Sequence, residues 1–174
     1  MAGLNISRVK FLVAEDNPFM KDILRQILRT LGVTQIIETS DGTEGYELFK
    51  QMSPDIVLLD WHMEPVDGLA LTRRIRSKDG PNRYVPIIMI TGYSEIERIT
   101  RARDAGVNEI LAKPIAATSL YTRVRAVIER PRLFVEADSY FGPDRRRRAD
   151  PNYKSEDRRV TQRRDLAFIG NSAA

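Results

Sequence analysis

The sequence predicts an α/β fold, in which a doubly wound, five-stranded parallel sheet is followed by an arginine-rich C-terminal extension. Five short apolar segments within the first 130 residues predict the strands, and stretches with helical spacing of apolar residues lie between them. Strict alternation of strands and helices is typical of a parallel sheet with helices on both faces. A shift in composition toward arginine marks residues 131–174 as the extension.

The five predicted strands are short runs rich in β-branched residues. Two of them, "DIVLLD" and "VPIIMIT", are almost continuously apolar, as expected for central strands that are buried on both faces. In chain order the predicted strands are 9–14, 34–39, 55–60, 85–91 and 107–113.

The predicted helices follow these strands. The first begins at Pro18 with Asn17 as its N-cap, because a side-chain acceptor followed by proline is a common helix start. Gly32 marks its end. The other four helices are predicted at 41–52, 68–77, 94–105 and 115–130.

The positive charge of the chain is concentrated in its C-terminal part. Residues 1–130 carry 18 basic and 17 acidic side chains, whereas residues 131–174 carry 10 basic and 7 acidic ones. The body is nearly neutral, so we do not expect it to bind nucleic acid. Residues 1–130 are predicted to form one domain.

The cysteine content and the hydropathy of the chain indicate the cellular compartment in which we expect the protein. The chain has no cysteine, which excludes disulfides and thiolate metal sites. No segment approaches the roughly 18 apolar residues that a transmembrane helix requires, and the first residues lack the features of a signal peptide. We therefore expect a cytoplasmic protein without membrane contact.

Polar side chains stand at the carboxyl ends of four predicted strands. Glu15 and Asp16 follow the first strand, Asp60 ends the third, Thr91 ends the fourth, and Lys113 ends the fifth. Ligands of parallel α/β sheets bind beyond these strand ends. We therefore expect the five side chains to lie in one crevice.

The residue types in this crevice indicate phosphoryl transfer. Three neighbouring carboxylates repel one another unless a cation lies between them, and carboxylate oxygens suit Mg²⁺. With Mg²⁺ bound, one carboxylate can attack phosphorus as a nucleophile. The ion, Lys113 and Thr91 would then neutralise the phosphoryl oxygens.

Residues 8–130 resemble the receiver domain of bacterial response regulators, the CheY-like superfamily, whose sheet is of the flavodoxin-like type. The resemblance rests on four features: the acidic pair Glu15-Asp16, the segment "DWHMEPVDG" from Asp60 to Gly68, Thr91-Gly92, and Lys113-Pro114. It implies that Asp60 accepts a phosphoryl group from a phosphohistidine on a sensor histidine kinase or a phosphotransfer protein. The protein would then be a signalling protein that catalyses only its own phosphoryl transfer and hydrolysis, and not an enzyme.

The resemblance also implies individual roles in the crevice. Thr91 and Lys113 would contact the phosphoryl group, and the Lys113–Pro114 peptide bond would be cis. Mg²⁺ would be held by the side chains of Glu15, Asp16 and Asp60 and by the main-chain carbonyl of His62.

The chain departs from the family pattern at Ile110, where many relatives carry a tyrosine or phenylalanine that rotates on phosphorylation. Tyr93 either replaces that ring or is an ordinary residue at the rim of the site. The imidazole of His62, the only histidine, is interpreted as a surface group.

The extension contains a loose repeat, in which "YFGPDRR" at 140–146 returns as "YKSEDRR" at 153–159. Arginine binds phosphate or the O6/N7 edge of guanine, tyrosine offers a stacking face, and a carboxylate can accept from guanine N1 and N2. Interspersed acids disfavour a long nucleic-acid backbone. Cyclic di-GMP, with two guanines and two phosphates, fits this set of residues.

The segment "YFGPDRRRR" after a receiver resembles the Cle proteins, CheY-like effectors of cyclic di-GMP at the flagellar motor. The resemblance implies docking to the motor switch protein. We expect so polar an extension to be flexible without ligand. The implied ligand-binding residues are Tyr140, Asp144, Arg145, Arg146, Arg147, Arg148, Asp157, Arg158, Arg159 and Arg163.

Three alternatives remain open from the sequence. The chain could be a phosphorylation-only response regulator with an inert tail, or a regulator that binds nucleic acid. An aspartyl-nucleophile phosphatase is disfavoured, because "DWHM" lacks a second aspartate two residues after Asp60.

Overall fold

The computed structural model describes residues 4–92, 96–137 and 139–145, together with the backbone of residues 159 and 160. Strands and helices alternate along the chain, as predicted. The strands of the main sheet are β1 (Lys10–Ala14), β2 (Gln35–Thr39), β3 (Ile56–Asp60), β4 (Ile87–Thr91) and β5 (Glu109–Ala112). The helices are α1 (Pro18–Thr30), α2 (Gly42–Met52), α3 (Gly68–Arg76), α4 (Ile96–Asp104) and α5 (Ala117–Glu129).

The five strands form one parallel sheet in the order β2-β1-β3-β4-β5. The chain thus winds outward in both directions from the centre of the sheet, which confirms the predicted doubly wound fold. Every residue of β3 and β4 is buried, as their continuous apolar runs predicted. Among the described residues, no helix is both long and apolar enough to cross a membrane.

The core has two halves, one on each face of the sheet. Side chains alternate along a strand, so Phe11 and Val13 of β1 enter one cluster while Leu12 and Ala14 enter the other. The first cluster packs against α1 and α5, and the second packs against α2 and α3. Helices α1 and α3 begin at the predicted residues, whereas α2 and α5 begin one and two residues later than predicted. At α1 the Asn17 side chain accepts from the main-chain N–H groups of Phe19 and Met20.

After α5 the chain forms a hairpin of β6 (Phe134–Ala137) and β7 (Tyr140–Pro143), and β8 (Arg159–Val160) pairs with β6 on its other side. The sequence did not predict this small antiparallel sheet. Its strands are only two to four residues long, and acidic and small residues within them hide the apolar pattern.

The hairpin packs on the body of the domain through a cluster of aromatic rings. Phe134, Phe141 and Tyr84 lie within 5.1 to 5.3 Å of one another, measured between ring centroids. Two arginines cover this cluster, with Arg83 over the ring of Phe141 and Arg76 over that of Phe134. Phe134 is buried, so the chain just after α5 packs on the body.

The hairpin lies at the opposite edge of the sheet from the predicted crevice. Tyr84 precedes β4 and Gly106 precedes β5, so both belong to the edge formed by the amino ends of the strands. A Cβ built on Gly106 would lie 2.9 Å from the main-chain oxygen of Phe141, which shows how closely the two backbones approach. The extension therefore starts at the far end of the domain from Asp60.

Candidate functional site

The carboxyl ends of the strands bring the predicted residues together. Glu15, Asp60 and Thr91 are buried there, and Asp16 is exposed at the mouth. Lys113 follows β5, and its ammonium points back across the sheet to the acidic residues. The five side chains thus lie at the same edge of the sheet.

Lys113 lies between the two buried carboxylates. Its Nζ is 2.7 Å from Oδ1 of Asp60 and 3.2 Å from Oε2 of Glu15. Carboxylate oxygens of Glu15, Asp16 and Asp60 all lie within 4.8 Å of one another. Three carboxylates and one ammonium have a net charge of −2, which a divalent cation would neutralise.

This crowding shifts the protonation equilibria of the site. Burial and the charge of Asp60 raise the pKa of Glu15 above its ordinary value, although Lys113 and the N–H of Asn17 partly oppose the shift. Partial burial lowers the pKa of Lys113, but hydrogen bonds and the charges of Asp60 and Glu15 outweigh burial, so its pKa is raised. Lys113 therefore stays charged at neutral pH.

The backbone around Asp60 holds its carboxylate in place. The main-chain N–H of His62 donates to Asp60 Oδ2 at 3.0 Å, while Oδ1 faces Lys113. A Cβ on Gly68 would collide with the main-chain oxygen of Asp60. Glycine is therefore required where the loop returns to start α3, and this explains the glycine at the end of "DWHMEPVDG".

The donor set of the crevice fits Mg²⁺. Three carboxylates, one of them exposed, give hard oxygen ligands and leave access for waters. Glu15, Asp16 and Asp60 would hold the ion, and the carbonyl of His62 stays a predicted fourth ligand. When bound, the ion would act as a Lewis acid on phosphoryl oxygens.

Three further expectations concern the Lys113–Pro114 peptide bond, the imidazole of His62 and the side chain of Tyr93. The Lys113–Pro114 bond is cis, as the resemblance implied. The imidazole of His62 is exposed, and its Nε2 lies 3.2 Å from Nη1 of Arg98 on α4. This contact was not predicted from the sequence, since Arg98 is 36 residues away. Tyr93, the possible substitute for the missing switch aromatic, lies outside the described residues.

Three of the predicted ligand-binding residues of the extension lie close together. The Arg145 guanidinium stacks on the ring of Tyr140, with its carbon 4.2 Å from the ring centroid. The Tyr140 hydroxyl donates to the carbonyl of Pro143 at 2.8 Å, and the N–H of Asp144 donates to the carbonyl of Leu133 at 2.7 Å. Tyr140 is thus fixed by the hairpin, and Arg145 covers one face of its ring.

The remaining predicted ligand-binding residues fall beyond this cluster. The structure describes Arg159 by its backbone alone, as part of β8. The others lie outside the described residues: Arg146, Arg147, Arg148, Asp157, Arg158 and Arg163.

Sequence reasoning missed Asp104, the last residue of α4. Its Oδ1 lies 2.8 Å from Nη2 of Arg145. A carboxylate at the C-terminus of a helix is unfavourable toward the helix dipole. An acidic residue at the end of a predicted helix was therefore the one feature of the sequence that could have indicated a basic partner for Asp104.

A groove of about 240 Å³ runs along β5 between α4 and α5. Thr91 lies at one end, beside the acidic crevice, and Ile110 forms part of its floor. Three arginines line it, namely Arg103, Arg123 and Arg132. Arg123 is paired with Glu109 at 3.1 Å, so the groove is basic overall.

Comparison with known proteins agrees with this geometry. Chemotaxis protein CheY-3 of Vibrio cholerae is 33% identical over 130 residues, which cover 75% of this chain and 99% of that protein. Chemotaxis protein CheY of Pseudomonas aeruginosa is 31% identical over 122 residues, covering 70% of this chain and 98% of that protein.

Solved structures show the same fold. The receiver domain of a sensor histidine kinase from Pseudomonas aeruginosa PAO1, solved with a magnesium ion coordinated in its active site cleft, superposes with a TM-score of 0.62 at 30% identity. The match covers 67% of this chain and 94% of that domain. The family model of the response regulator receiver domain matches residues 11–125. The chain therefore belongs to the response regulator receiver family of two-component signalling.

Proposed function

We propose that this chain is a CheY-like, single-domain response regulator that is phosphorylated on Asp60 with Mg²⁺ and whose extension binds cyclic di-GMP. The phosphoryl donor is a sensor histidine kinase or a phosphotransfer protein. The chain itself catalyses only the transfer of this phosphoryl group to Asp60 and the hydrolysis of the phosphorylated Asp60. The contact of Lys113 with Asp60 and Glu15, beside the acidic cluster, is the observation that carries the first half of this proposal.

The phosphoryl transfer uses the groups that surround Asp60. A carboxylate oxygen of Asp60 attacks the phosphorus of a phosphohistidine, and the N–P bond breaks with its electron pair left on the donor imidazole. Lys113 keeps its positive charge beside that carboxylate and neutralises a phosphoryl oxygen. The Thr91 hydroxyl, at the end of the neighbouring strand, donates to a second phosphoryl oxygen.

Labelling with a phosphohistidine donor tests the role of Asp60. The variant Asp60→Asn should not be labelled in the presence of Mg²⁺, whereas Asp79→Asn, an exposed aspartate after α3, should be labelled like the wild type. Undiminished labelling of Asp60→Asn would refute the assignment.

The extension supplies the second half of the proposed function. Arg145 is about half exposed, and its guanidinium is already stacked on Tyr140. A guanidinium already held over a ring loses little freedom when it binds guanine or phosphate, so this pair forms a partly preorganised ligand contact. The arginines that follow in the sequence supply the further positive charge that two phosphates require.

Ligand binding controls docking to a partner, and the flagellar motor switch protein is the proposed partner. Two relatives with this fold carry the name of chemotaxis proteins. The basic groove between α4 and α5 starts at Thr91 and ends at Arg132, where the extension begins. A partner segment seated in this groove would contact elements next to both the phosphorylation site and the extension.

Titration calorimetry of the full chain with cyclic di-GMP tests this half of the proposal. Replacing Arg145 and Arg146 together with alanine should weaken binding at least tenfold, because each bidentate contact contributes roughly 1–3 kcal/mol. Cyclic di-AMP is the control for guanine readout and should bind weakly to every variant. An unchanged dissociation constant in the double variant would refute the proposal, and binding of DNA in its place would support the nucleic-acid alternative.

A further inference from the structure

Helix α4 contacts both functional regions of the chain, one at each end. Near its start, Arg98 lies 3.2 Å from the imidazole of His62, two residues after Asp60. At its end, Asp104 lies 2.8 Å from Arg145. The two contacts are six residues apart, or ~9 Å along the helix axis. One helix therefore joins the surroundings of Asp60 to Arg145 of the extension.

The hairpin holds Arg145 beside Asp104. Gly142 packs against Gly106 just beyond the end of α4, where a Cβ on Gly142 would lie 2.8 Å from the Cα of Gly106. Stacking on Tyr140 fixes the guanidinium from the other side. The ion pair thus belongs to a defined backbone geometry, although both side chains are about half exposed.

The carboxylate of Asp104 binds the same N–H groups of Arg145 that a nucleotide ligand would bind. A guanidinium offers its N–H groups to a carboxylate, to a phosphate, or to the O6/N7 edge of guanine. While Asp104 accepts from Nη2, those donors are not fully available to a nucleotide. We infer that Asp104 is an intramolecular competitor that holds Arg145 until cyclic di-GMP displaces it, so that α4 couples nucleotide binding to the Asp60 site.

The inference rests on the proposed binding of cyclic di-GMP, and it adds regulation to that site. Displacement leaves an unpaired carboxylate at the C-terminus of α4, where the helix dipole disfavours it. The balance of contacts on α4 then changes, including the contact of Arg98 with His62. By linkage, any effect of nucleotide on the phosphorylation site must be matched by an equal effect in the other direction.

The variant Asp104→Asn, made in the full chain, shows whether Asp104 competes with the nucleotide for Arg145 or contacts the nucleotide itself. We expect it to bind cyclic di-GMP about two- to fivefold more tightly than the wild type, the range typical for loss of one exposed ion pair. Glu97→Gln is the matched control, since it removes one exposed negative charge from the same helix, and its affinity should be unchanged. Unchanged or weaker binding by Asp104→Asn would overturn the inference, and weaker binding would place Asp104 among the ligand contacts.

The ion pair is also tested without nucleotide, which separates this inference from the proposed function. Amide exchange at residues 140–145 should be faster in Asp104→Asn than in Glu97→Gln, and the charge-swapped variant Asp104→Arg/Arg145→Asp should restore protection. Equal protection in all variants would overturn the role of Asp104. If the wild type does not bind cyclic di-GMP, the proposed function fails, whereas this exchange result still decides the role of the ion pair.

Coupling is measured with beryllium trifluoride, a mimic of the phosphoryl group, in the presence of Mg²⁺. Its affinity for the wild type should change in the presence of cyclic di-GMP, and the nucleotide affinity should change by the same factor when the mimic is bound. In Asp104→Asn both factors should approach one. A factor of one in the wild type would overturn coupling through α4.

Discussion

Gly142 of β7 and Gly106, just before β5, lie in direct backbone contact. A Cβ on Gly142 would be 2.8 Å from the Cα of Gly106 and 2.6 Å from the hydroxyl of Tyr140. Gly106 itself has a φ of +95°, a conformation that side chains rarely adopt. The hairpin therefore reaches the receiver only because neither residue has a side chain at this point.

The first prediction concerns this contact. We expect Gly142→Ala to lower the free energy of unfolding by about 1–3 kcal/mol, because the added methyl group forces the two backbones apart. Gly92→Ala is the control, since no atom lies within 4 Å of its Cβ position, and it should change stability by at most about 0.5 kcal/mol. Urea unfolding measures both. A Gly142→Ala variant as stable as the control would show that the hairpin does not dock as described.

The second prediction concerns the aromatic cluster beneath the hairpin. Phe134 is 7% exposed and Phe19 is 74% exposed, so the two phenylalanines form a matched pair. Phe134→Ala should lower the free energy of unfolding by about 3 kcal/mol, because it leaves a cavity beside Tyr84. Phe19→Ala should have an effect within about 0.5 kcal/mol. Denaturant titration of both variants tests this difference, and equal stabilities would contradict the docked position of Phe134.

The same contact determines where a truncated chain should end. A chain that stops at residue 130 lacks Phe134 and Phe141, and it exposes Tyr84 and Arg76. Such a chain should be less stable, so a loss of ligand binding could not be assigned to the missing arginines. A chain that stops at Arg145 keeps the hairpin. We therefore expect the 1–145 chain to unfold at nearly the wild-type urea concentration and to lose most of its affinity for cyclic di-GMP. Nucleotide affinity equal to that of the full chain would show that the later arginines are dispensable.

The main sheet and the crevice could be predicted from the sequence because their signals are local. A run such as "DIVLLD" identifies a buried strand by itself, and Asp60 follows from its position at the strand end. The pairing of Asp104 with Arg145 has no such signal, since 41 residues separate the partners. The docking of Phe134 on Tyr84 likewise depends on a tertiary contact between short segments. Periodicity gives no information on such contacts.

The third prediction concerns the separation of metal and ammonium in the crevice. Lys113→Ala should bind Mg²⁺ at least as well as the wild type, because it removes a positive charge that repels the ion. Its phosphorylation should be much slower, because a stabilising charge for the phosphoryl oxygens is lost. Trp61, the only tryptophan, lies buried next to Asp60 and can report Mg²⁺ binding by its fluorescence. Loss of the Mg²⁺ response in Lys113→Ala would contradict the separate roles.

The last prediction concerns pH and follows from Glu15. Burial and the charge of Asp60 raise the pKa of Glu15 in the folded chain above its ordinary value of 4.5. The folded state thus binds this proton more tightly than the unfolded state, so Glu15 contributes stability below pH 4.5 and loses that contribution as the pH rises through the raised pKa. Without metal, Glu15→Gln should therefore be more stable than the wild type at pH 7, and the difference should shrink toward pH 4.

Saturating Mg²⁺ should reverse this order at pH 7. The ion stabilises the wild type by binding to the carboxylates of the folded state, and Glu15→Gln has one negative charge fewer to hold it. Thermal unfolding of both proteins, with Mg²⁺ and with a chelator, measures the two differences. Glu38→Gln, which removes a carboxylate of β2 that pairs with Arg25 outside the acidic cluster, is the control, and Mg²⁺ should stabilise it by as much as the wild type. If Glu15→Gln is less stable than the wild type in the chelator as well, the ion pair with Lys113 outweighs the repulsion from Asp60, and the raised pKa is wrong.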